Sequence, residues 1–205
     1  MSNIEQRSEE WHEQRLGRFT ASEIYKLMGI KGLGETGKTY IFEKAIETLY
    51  GRDEDSFVSY DMQRGIELEP LAFAKFHELM QLKFKDVKNC GFYVYGKSSG
   101  ASPDGLVGED AILEIKCPKK ETFFKLVATN EIDNKYYLQM QKQMLATGRK
   151  KAYFFNYLII DGIEYYHTIE IEIDEVIIDK MKERINESER LKQEYIKLIN
   201  NNKQF

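Results

Sequence analysis

Residues 101–118, Ala-Ser-Pro-Asp-Gly-Leu-Val-Gly-Glu-Asp-Ala-Ile-Leu-Glu-Ile-Lys-Cys-Pro, decide how this chain is read. Ser102-Pro103-Asp104-Gly105 is a tight turn, and residues 111–116 form a short apolar strand that Cys117-Pro118 closes. Side chains two apart on a strand point to one face. Glu114 and Lys116 therefore project together, while Leu113 and Ile115 project the other way, into a core. Two carboxylates, Asp104 and Glu114, can hold a hard divalent cation through oxygen ligands. The adjacent ammonium of Lys116 can orient or deprotonate a metal-bound water, which completes the parts needed to hydrolyse a phosphodiester. Asp…Glu-x-Lys alone is a weak signal, because charged residues are common; the flanking turn and the Cys-Pro stop strengthen it.

The bulk properties set the frame. At 205 residues the chain fits one domain, 1–205. A chain of this size buries roughly 70% of its unfolded surface, so it needs no disulfide or structural metal to fold. Cys90 and Cys117 are too few for a disulfide framework or a four-ligand zinc or iron–sulfur site. The longest apolar runs fall far short of a membrane span, and the first residues lack the apolar core of a signal peptide. The expectation is a soluble protein of a reducing compartment. A net charge of −4 runs against DNA binding, since phosphates are contacted by Lys and Arg. The distribution partly answers this: positions 116, 119, 120, 125, 135, 142, 149, 150 and 151 are basic, against acids only at 121, 131 and 133. That stretch reads either as a basic cleft or as a solvated face.

Along the chain, Thr20-x-x-Glu23 has the form of a capping box opening a helix with Ile24, Leu27 and Met28 on its apolar face. Helices follow over about 39–50 and 61–81, then strands near 83–87, 91–96, 103–107 and 111–116. Further helices are expected at 120–129 and 134–147, the latter ended by Gly148. Strands 151–160 and 163–172 form a hairpin around Asp161-Gly162, and Asp174 opens a helix reaching about 200. Helices, a mixed sheet and more helices indicate an α/β domain.

Three residues outside the central motif need weighing. On a helix Glu69 shares a face with Gly65, Ala72, Phe73 and Phe76, and a carboxylate on an apolar stripe is costly unless paired or bound to metal. Alternatively Pro70 starts the helix and Glu69 is merely its N-cap; spacing does not choose between these. Ser22 sits in the first turn of the helix after Thr20, a natural phosphate site, and Arg15 could add a bidentate clamp. Taken alone, they read as a structural arginine and a surface serine.

The Asp104…Glu114-Ile-Lys116 signature resembles the PD-(D/E)xK nuclease motif. The fuller Ser-Pro-Asp-Gly…Leu-Glu-Ile-Lys-Cys-Pro wording resembles the phage lambda exonuclease (YqaJ-type viral recombinase) family. Trp11 to Gly17, Thr20 to Glu23, Gly65 to Ala72, Tyr136 to Gln141 and Ala152-Tyr153-Phe154 are similar to further blocks of that family, so the resemblance runs from about residue 11 to about 175. It implies a restriction-endonuclease-like core, a central mixed sheet flanked by helices. It implies a 5′→3′ exonuclease on linear double-stranded DNA, using Mg²⁺ or Mn²⁺ and two ions. Asp104, Glu114 and the backbone carbonyl of Ile115 would bind one metal, and Lys116 with Glu69 would position and activate water. Arg15, Ser22 and Gln139 would hold the terminal 5′-phosphate. A homotrimer threaded by DNA, a single-strand annealing partner and a cytoplasmic site in a bacterial host or prophage setting are implied in the same way. One departure is Val94, which stands where the family's type member has a further aspartate near the metals.

Two other readings compete from different classes: an endonuclease on the same core, and a non-catalytic DNA-end binder. The second is disfavoured by the presence of all four of Glu69, Asp104, Glu114 and Lys116. Gly32-Leu-Gly-Glu-Thr-Gly-Lys-Thr39 matches the Walker A pattern. A P-loop needs an apolar strand just before its glycines, whereas a helix is expected there.

Overall fold

Strand β6 (Ala111–Lys116) is buried on both faces, and the rest of the fold is arranged to cover it. The computed structural model describes residues 6–52, 60–83 and 85–202. Within them β6 lies in a five-stranded sheet with β2 (Val87–Lys88), β5 (Gly105–Val107), β7 (Lys151–Ile160) and β8 (Ile163–Glu172), in the order β2-β5-β6-β7-β8. The β6–β7 pair is parallel and its neighbours are antiparallel. A parallel pair requires a crossover, supplied by α4 (Lys120–Thr129) and α5 (Asn134–Thr147). The chain is a mixed α/β sheet flanked by helices, as the sequence indicates.

On one face, α3 (Tyr60–Gln81) sets Ala72, Phe76 and Met80 against Leu113, Ile115, Tyr153, Phe155 and Tyr157. On the other, Leu126 of α4 and Met140 and Met144 of α5 cover Ile112, Ala152, Phe154 and Ile171. The alternation of Leu113 and Ile115 with Ile112 and Glu114 thus sorts residues between two cores. A third cluster joins Phe19, Ile24 and Leu27 to Tyr40 and Ile41 of α2 (Glu35–Tyr50) and to Met181 and Ile185 of α6 (Glu175–Asn201). The turn between β7 and β8 places Asp161 at φ 52° and Gly162 at φ 78°. This is the left-handed pair that an Asp-Gly hairpin supplies.

Two local expectations are corrected. Residues Ala21–Leu27 form a 3-10 helix, and Thr20 gives it no side-chain cap. Thr20 belongs instead to a two-residue strand, β1 (Phe19–Thr20), where its hydroxyl meets that of Ser22 at 3.4 Å, and Glu23 pairs with Lys26. Second, β1 pairs with β4 (Ser99–Ala101), and β4 with β3 (Tyr93–Tyr95), in a separate small sheet. Ser-Gly-Ala carries no apolar alternation by which β4 could have been seen. For Glu69 the structure chooses between the two readings left open: α3 begins ten residues before Pro70, close to the limits expected, so Glu69 is interior to the helix and not its N-cap. Arg64 holds this first half in place by donating to the carbonyl of Cys117 at 2.7 Å. An unanticipated helix, α1 (Glu9–Arg15), is capped by Ser8, whose hydroxyl accepts from Trp11 N–H.

Gly32–Thr39 is the loop before α2 together with its first turn, preceded by the 3-10 helix, so the strand that a P-loop requires is not there. No helix among the described residues is long and apolar enough to cross a membrane.

Candidate active site

Glu114 is 1% exposed, and each of its oxygens is held. Lys116 Nζ and Gln139 Nε2 both donate to Oε1 at 2.5 Å, and Gln143 Nε2 donates to Oε2 at 2.6 Å. The lysine comes from the same strand face. The two glutamines come from one face of α5, which the crossover lays across β6. Asp104 is fixed by backbone: its N–H donates to the carbonyl of Leu113 at 2.9 Å, and its Oδ2 accepts from the N–H of Ile115 at 2.6 Å. The turn at Ser102–Gly105 therefore docks its carboxylate beside the strand bearing Glu114.

The charges are mutually adjusted. Burial, and after it the negative charge of Glu114, hold the Asp104 carboxyl well above the usual carboxylate range. For Lys116, burial favours loss of the proton, but the charges of Glu114 and Asp104 outweigh it and raise its pKa above that of an ordinary lysine. Lys116 is thus an ammonium at neutral pH, suited to orienting a water or an anionic oxygen. Glu69, on α3, lines a cavity of about 850 Å³ with Ile115 and Lys116. It also lines a neighbouring cavity with Asp104, and its Oε2 accepts from Arg7 at 2.5 Å.

Two adjacent carboxylates beside the Ile115 backbone carbonyl form the hard oxygen set that a divalent cation takes; burial is the main cause of the raised Asp104 pKa, and the charge of Glu114 adds to it. The residues present fit such an ion. Among the described residues no group of three or more His, Cys, Asp or Glu could hold a metal. Val94 is half exposed on β3 and offers no carboxylate. Ion ligation would rest on Asp104, Glu114 and the Ile115 carbonyl, with solvent completing the shell.

Arg15 and Ser22 line a third cavity together, with Lys26, Lys44 and Arg52 adding positive charge and Glu9, Glu13, Glu23, Glu43 and Glu47 adding negative. The Arg15 guanidinium stacks 4.0 Å from the Trp11 ring centroid, and burial brings its pKa down to about 10. Gln139 does not line this cavity; its amide donates to Glu114. The structure thus brings Arg15 and Ser22 together in one cavity and places Gln139 against Glu114. The basic run is also less exposed than its sequence suggests: Lys142 is fully buried, donating to Ser99 Oγ at 3.0 Å.

Sequence reasoning missed several contributors. Trp11 Nε1 donates to Ser102 Oγ at 2.8 Å, tying α1 to the turn that carries Asp104. Gln143 was visible only as a polar residue one turn from Gln139. Arg7 and Arg64 reach the site from elements distant in sequence, and nothing in their local pattern marks them. Asn156 of β7, in register with Lys116, is 2% exposed inside an aromatic-rich strand; a buried amide there was the available signal.

Comparison with known proteins fits this geometry. Residues 10–150 match the model of the YqaJ-like viral recombinase domain. The chain belongs to that family. The alkaline exonuclease LHK-Exo from Laribacter hongkongensis is 31% identical, with a TM-score of 0.83 over 95% of this chain and 97% of that one. The same exonuclease in complex with dAMP gives a TM-score of 0.82 over 94% and 96%. A phage related exonuclease from Haemophilus somnus 129PT, 20% identical, shares the fold with a TM-score of 0.68 over 93% and 98%. No curated protein matches the sequence. Within the YqaJ family the chain has the PD-(D/E)xK type of core.

Proposed function

We propose that this YqaJ-family chain is a divalent-metal-dependent exonuclease that degrades one strand of linear double-stranded DNA in the 5′→3′ direction, in recombination of the phage type, with residues 1–205 acting as one nuclease domain. The observation that carries this reading is the convergence of Asp104, Glu114 and Lys116 on one open-sided site, with Glu69 on its wall. Similarity to an alkaline exonuclease over nearly the full length of both chains supports the reaction class.

A divalent ion, when bound, supplies Lewis-acid stabilisation of the charge developing on the phosphate. Asp104, Glu114 and the Ile115 carbonyl would hold it. The chain's own residues do the rest. Lys116, kept protonated by the two carboxylates, orients the attacking water or the phosphate oxygen at the mouth of the site. Glu69, about a third exposed on the cavity wall, accepts a proton from that water. Gln139 and Gln143 fix the rotamer of Glu114, so the carboxylate is preorganised. Arg15 and Ser22 recognise a 5′-phosphate from their shared cavity. Trp11 keeps that cavity in register with the Asp104 turn through Ser102.

The test is incubation with linear duplex ending in a 5′-phosphate or a 5′-hydroxyl, beside a closed circle, with Mg²⁺ or with chelator. The proposal expects Mg²⁺-dependent loss of the 5′-phosphorylated strand and an intact circle. A cut circle would instead identify an endonuclease, and no cleavage of any substrate would identify a DNA-end binder.

A further inference from the structure

Arg7 stands where the two cavities of the site meet. Of the residues that line them, only Arg7, Glu69 and Ile115 belong to both, with Lys116 on one side of that seam and Asp104 on the other. Lys116 and Lys125 line the first cavity alone and Lys88 the second alone, so among the described residues Arg7 is the one cation common to both.

An unfavourable backbone conformation puts it there. The φ of Arg7 is 70°, the left-handed region that glycine enters freely and a residue with a side chain enters at a cost. Both neighbours fix it. Before it, Gln6 Nε2 donates to the carbonyls of Pro103 at 2.6 Å and Cys90 at 3.2 Å, which ties the segment to the turn carrying Asp104. After it, Ser8 caps α1, its hydroxyl accepting from Trp11 N–H. Strain of this kind persists only where the surroundings over-determine it, and it clusters at functional sites. The Arg7–Glu69 pair does not account for it: the two side chains are 44% and 31% exposed, and ion pairs so exposed add little to stability. The unused donors of the guanidinium do. Nη2 donates to Glu69 Oε2 at 2.5 Å, and among the described residues the remaining N–H groups meet no acceptor. Those donors form a planar fork that matches two oxygens of a phosphate. Lys116, by contrast, is held on Glu114.

We propose that Arg7 is a further catalytic residue: one edge of its guanidinium stays on Glu69 while the free edge donates to the non-bridging oxygens of the phosphate being cleaved. The charge that develops on those oxygens in the transition state then meets a fixed cation. The same guanidinium keeps Glu69 turned toward the reacting phosphate. This rests on the nuclease reading above and adds to it a residue that touches the reacting group. It also accounts for an arginine where glycine would be relaxed, since glycine would bring no charge to the seam.

Turnover of a 5′-phosphorylated linear duplex with Mg²⁺ is compared for the wild type, Arg7→Gly and Arg7→Lys. Glycine relaxes the backbone, so Arg7→Gly should keep or raise Tm. Its kcat should fall about 10²-fold, the effect of removing one donor to a developing charge, with KM changed by less than about tenfold. Arg7→Lys keeps the charge and loses the fork, so it should fall between, and it decides the matter if the glycine variant does not fold. Adding Arg7→Gly to Glu69→Gln separates contact with phosphate from service to Glu69. The double variant should lose about a further tenfold or more, and no further loss would overturn the contact. In chelator, where no ion is bound, the log–log salt dependence of duplex binding should be shallower for Arg7→Gly by about one phosphate contact. An equal slope would overturn the proposal, as would a folded Arg7→Gly chain with the wild-type kcat. A wild type that cleaves no duplex would defeat the nuclease reading and this role with it, whereas cleavage matched by Arg7→Gly would defeat the role alone.

Discussion

Gln139 Nε2 lies 2.5 Å from Glu114 Oε1, so a helix that crosses over the sheet sets the rotamer of the acid at its centre. Hydrogen bonds to a charged group contribute about 1.5–3 kcal/mol, and outer-shell partners of metal ligands typically change ion affinity 10–100-fold. Gln139→Leu is expected to destabilise the fold by about 2 kcal/mol and to weaken Mg²⁺ or Mn²⁺ binding at least tenfold. Urea unfolding and metal titration measure the two effects. Unaltered metal affinity would mean that Glu114 is positioned without Gln139.

Asp104 links the ion to pH. Its folded-state pKa is raised, first by burial and then by Glu114, so in the window between the ordinary carboxylate value and the raised one the folded state holds a proton that the unfolded chain has lost. Metal-free stability therefore falls as pH rises through that window. A bound cation requires the ionised form, so Mg²⁺ should raise Tm more above the window than below it. At a hundredfold excess over Kd the gain is about 2.7 kcal/mol. Scanning calorimetry with and without Mg²⁺ at an acidic and a mildly alkaline pH checks this. A Mg²⁺ effect independent of pH would contradict it.

Lys142 is a buried ammonium whose partners are Ser99 Oγ and, at 4.0 Å, the Tyr95 ring. Burial brings its pKa down to about 7. Because the folded value lies below the unfolded one, the unfolded chain binds more protons between them. Stability should therefore rise with pH from about 7 toward the ordinary lysine value of about 10.4. Below that window the cost of the buried charge is fully present. Lys142→Met should raise Tm on the acidic side of neutrality and flatten the pH dependence above it. A lower Tm for the methionine variant at acidic pH would show that the ammonium contributes more through Ser99 and Tyr95 than its burial costs.

Arg15 stacks on Trp11, and Trp11 is bonded to the turn that carries Asp104. Arg15→Ala should reduce the ratio of cleavage rates on 5′-phosphorylated and 5′-hydroxyl ends by roughly 10–100-fold, the worth of a charged hydrogen bond. Arg15→Lys should fall between, since it keeps the charge and loses the planar fork. An unchanged ratio would remove Arg15 from end recognition.

The legible parts of the fold were those fixed by local chemistry. The β7–β8 hairpin has its expected limits because Asp161-Gly162 favours the left-handed two-residue turn observed there. Helices α4 and α5 end at Asn130 and Gly148, both left-handed. What was not legible depends on distant partners. The strand Ser99–Ala101 exists because Phe19–Thr20 and Tyr93–Tyr95 pair with it; Tyr93–Tyr95 falls within the strand expected near 91–96, but neither Phe19–Thr20 nor Ser99–Ala101 carries a pattern long enough to show. The Thr20–Glu23 spacing imitated a capping box, but Thr20 was claimed by that sheet. In the site, the Asp104…Glu114-x-Lys116 group could be read because it spans one turn and one strand. The support from Arg7, Arg64, Gln143 and Asn156 could not, since each arrives through the tertiary fold.

Whether Asp104, Glu114 and Lys116 form a metal-dependent phosphodiesterase site is decided by comparing the wild type with Lys116→Ala for release of the terminal nucleotide from a 5′-phosphorylated linear duplex with Mg²⁺. The wild type should release nucleotides, and the folded variant should bind the ion yet turn over about 10²–10⁴-fold more slowly. Near-normal release by Lys116→Ala would mean that Lys116 is not part of the catalytic site.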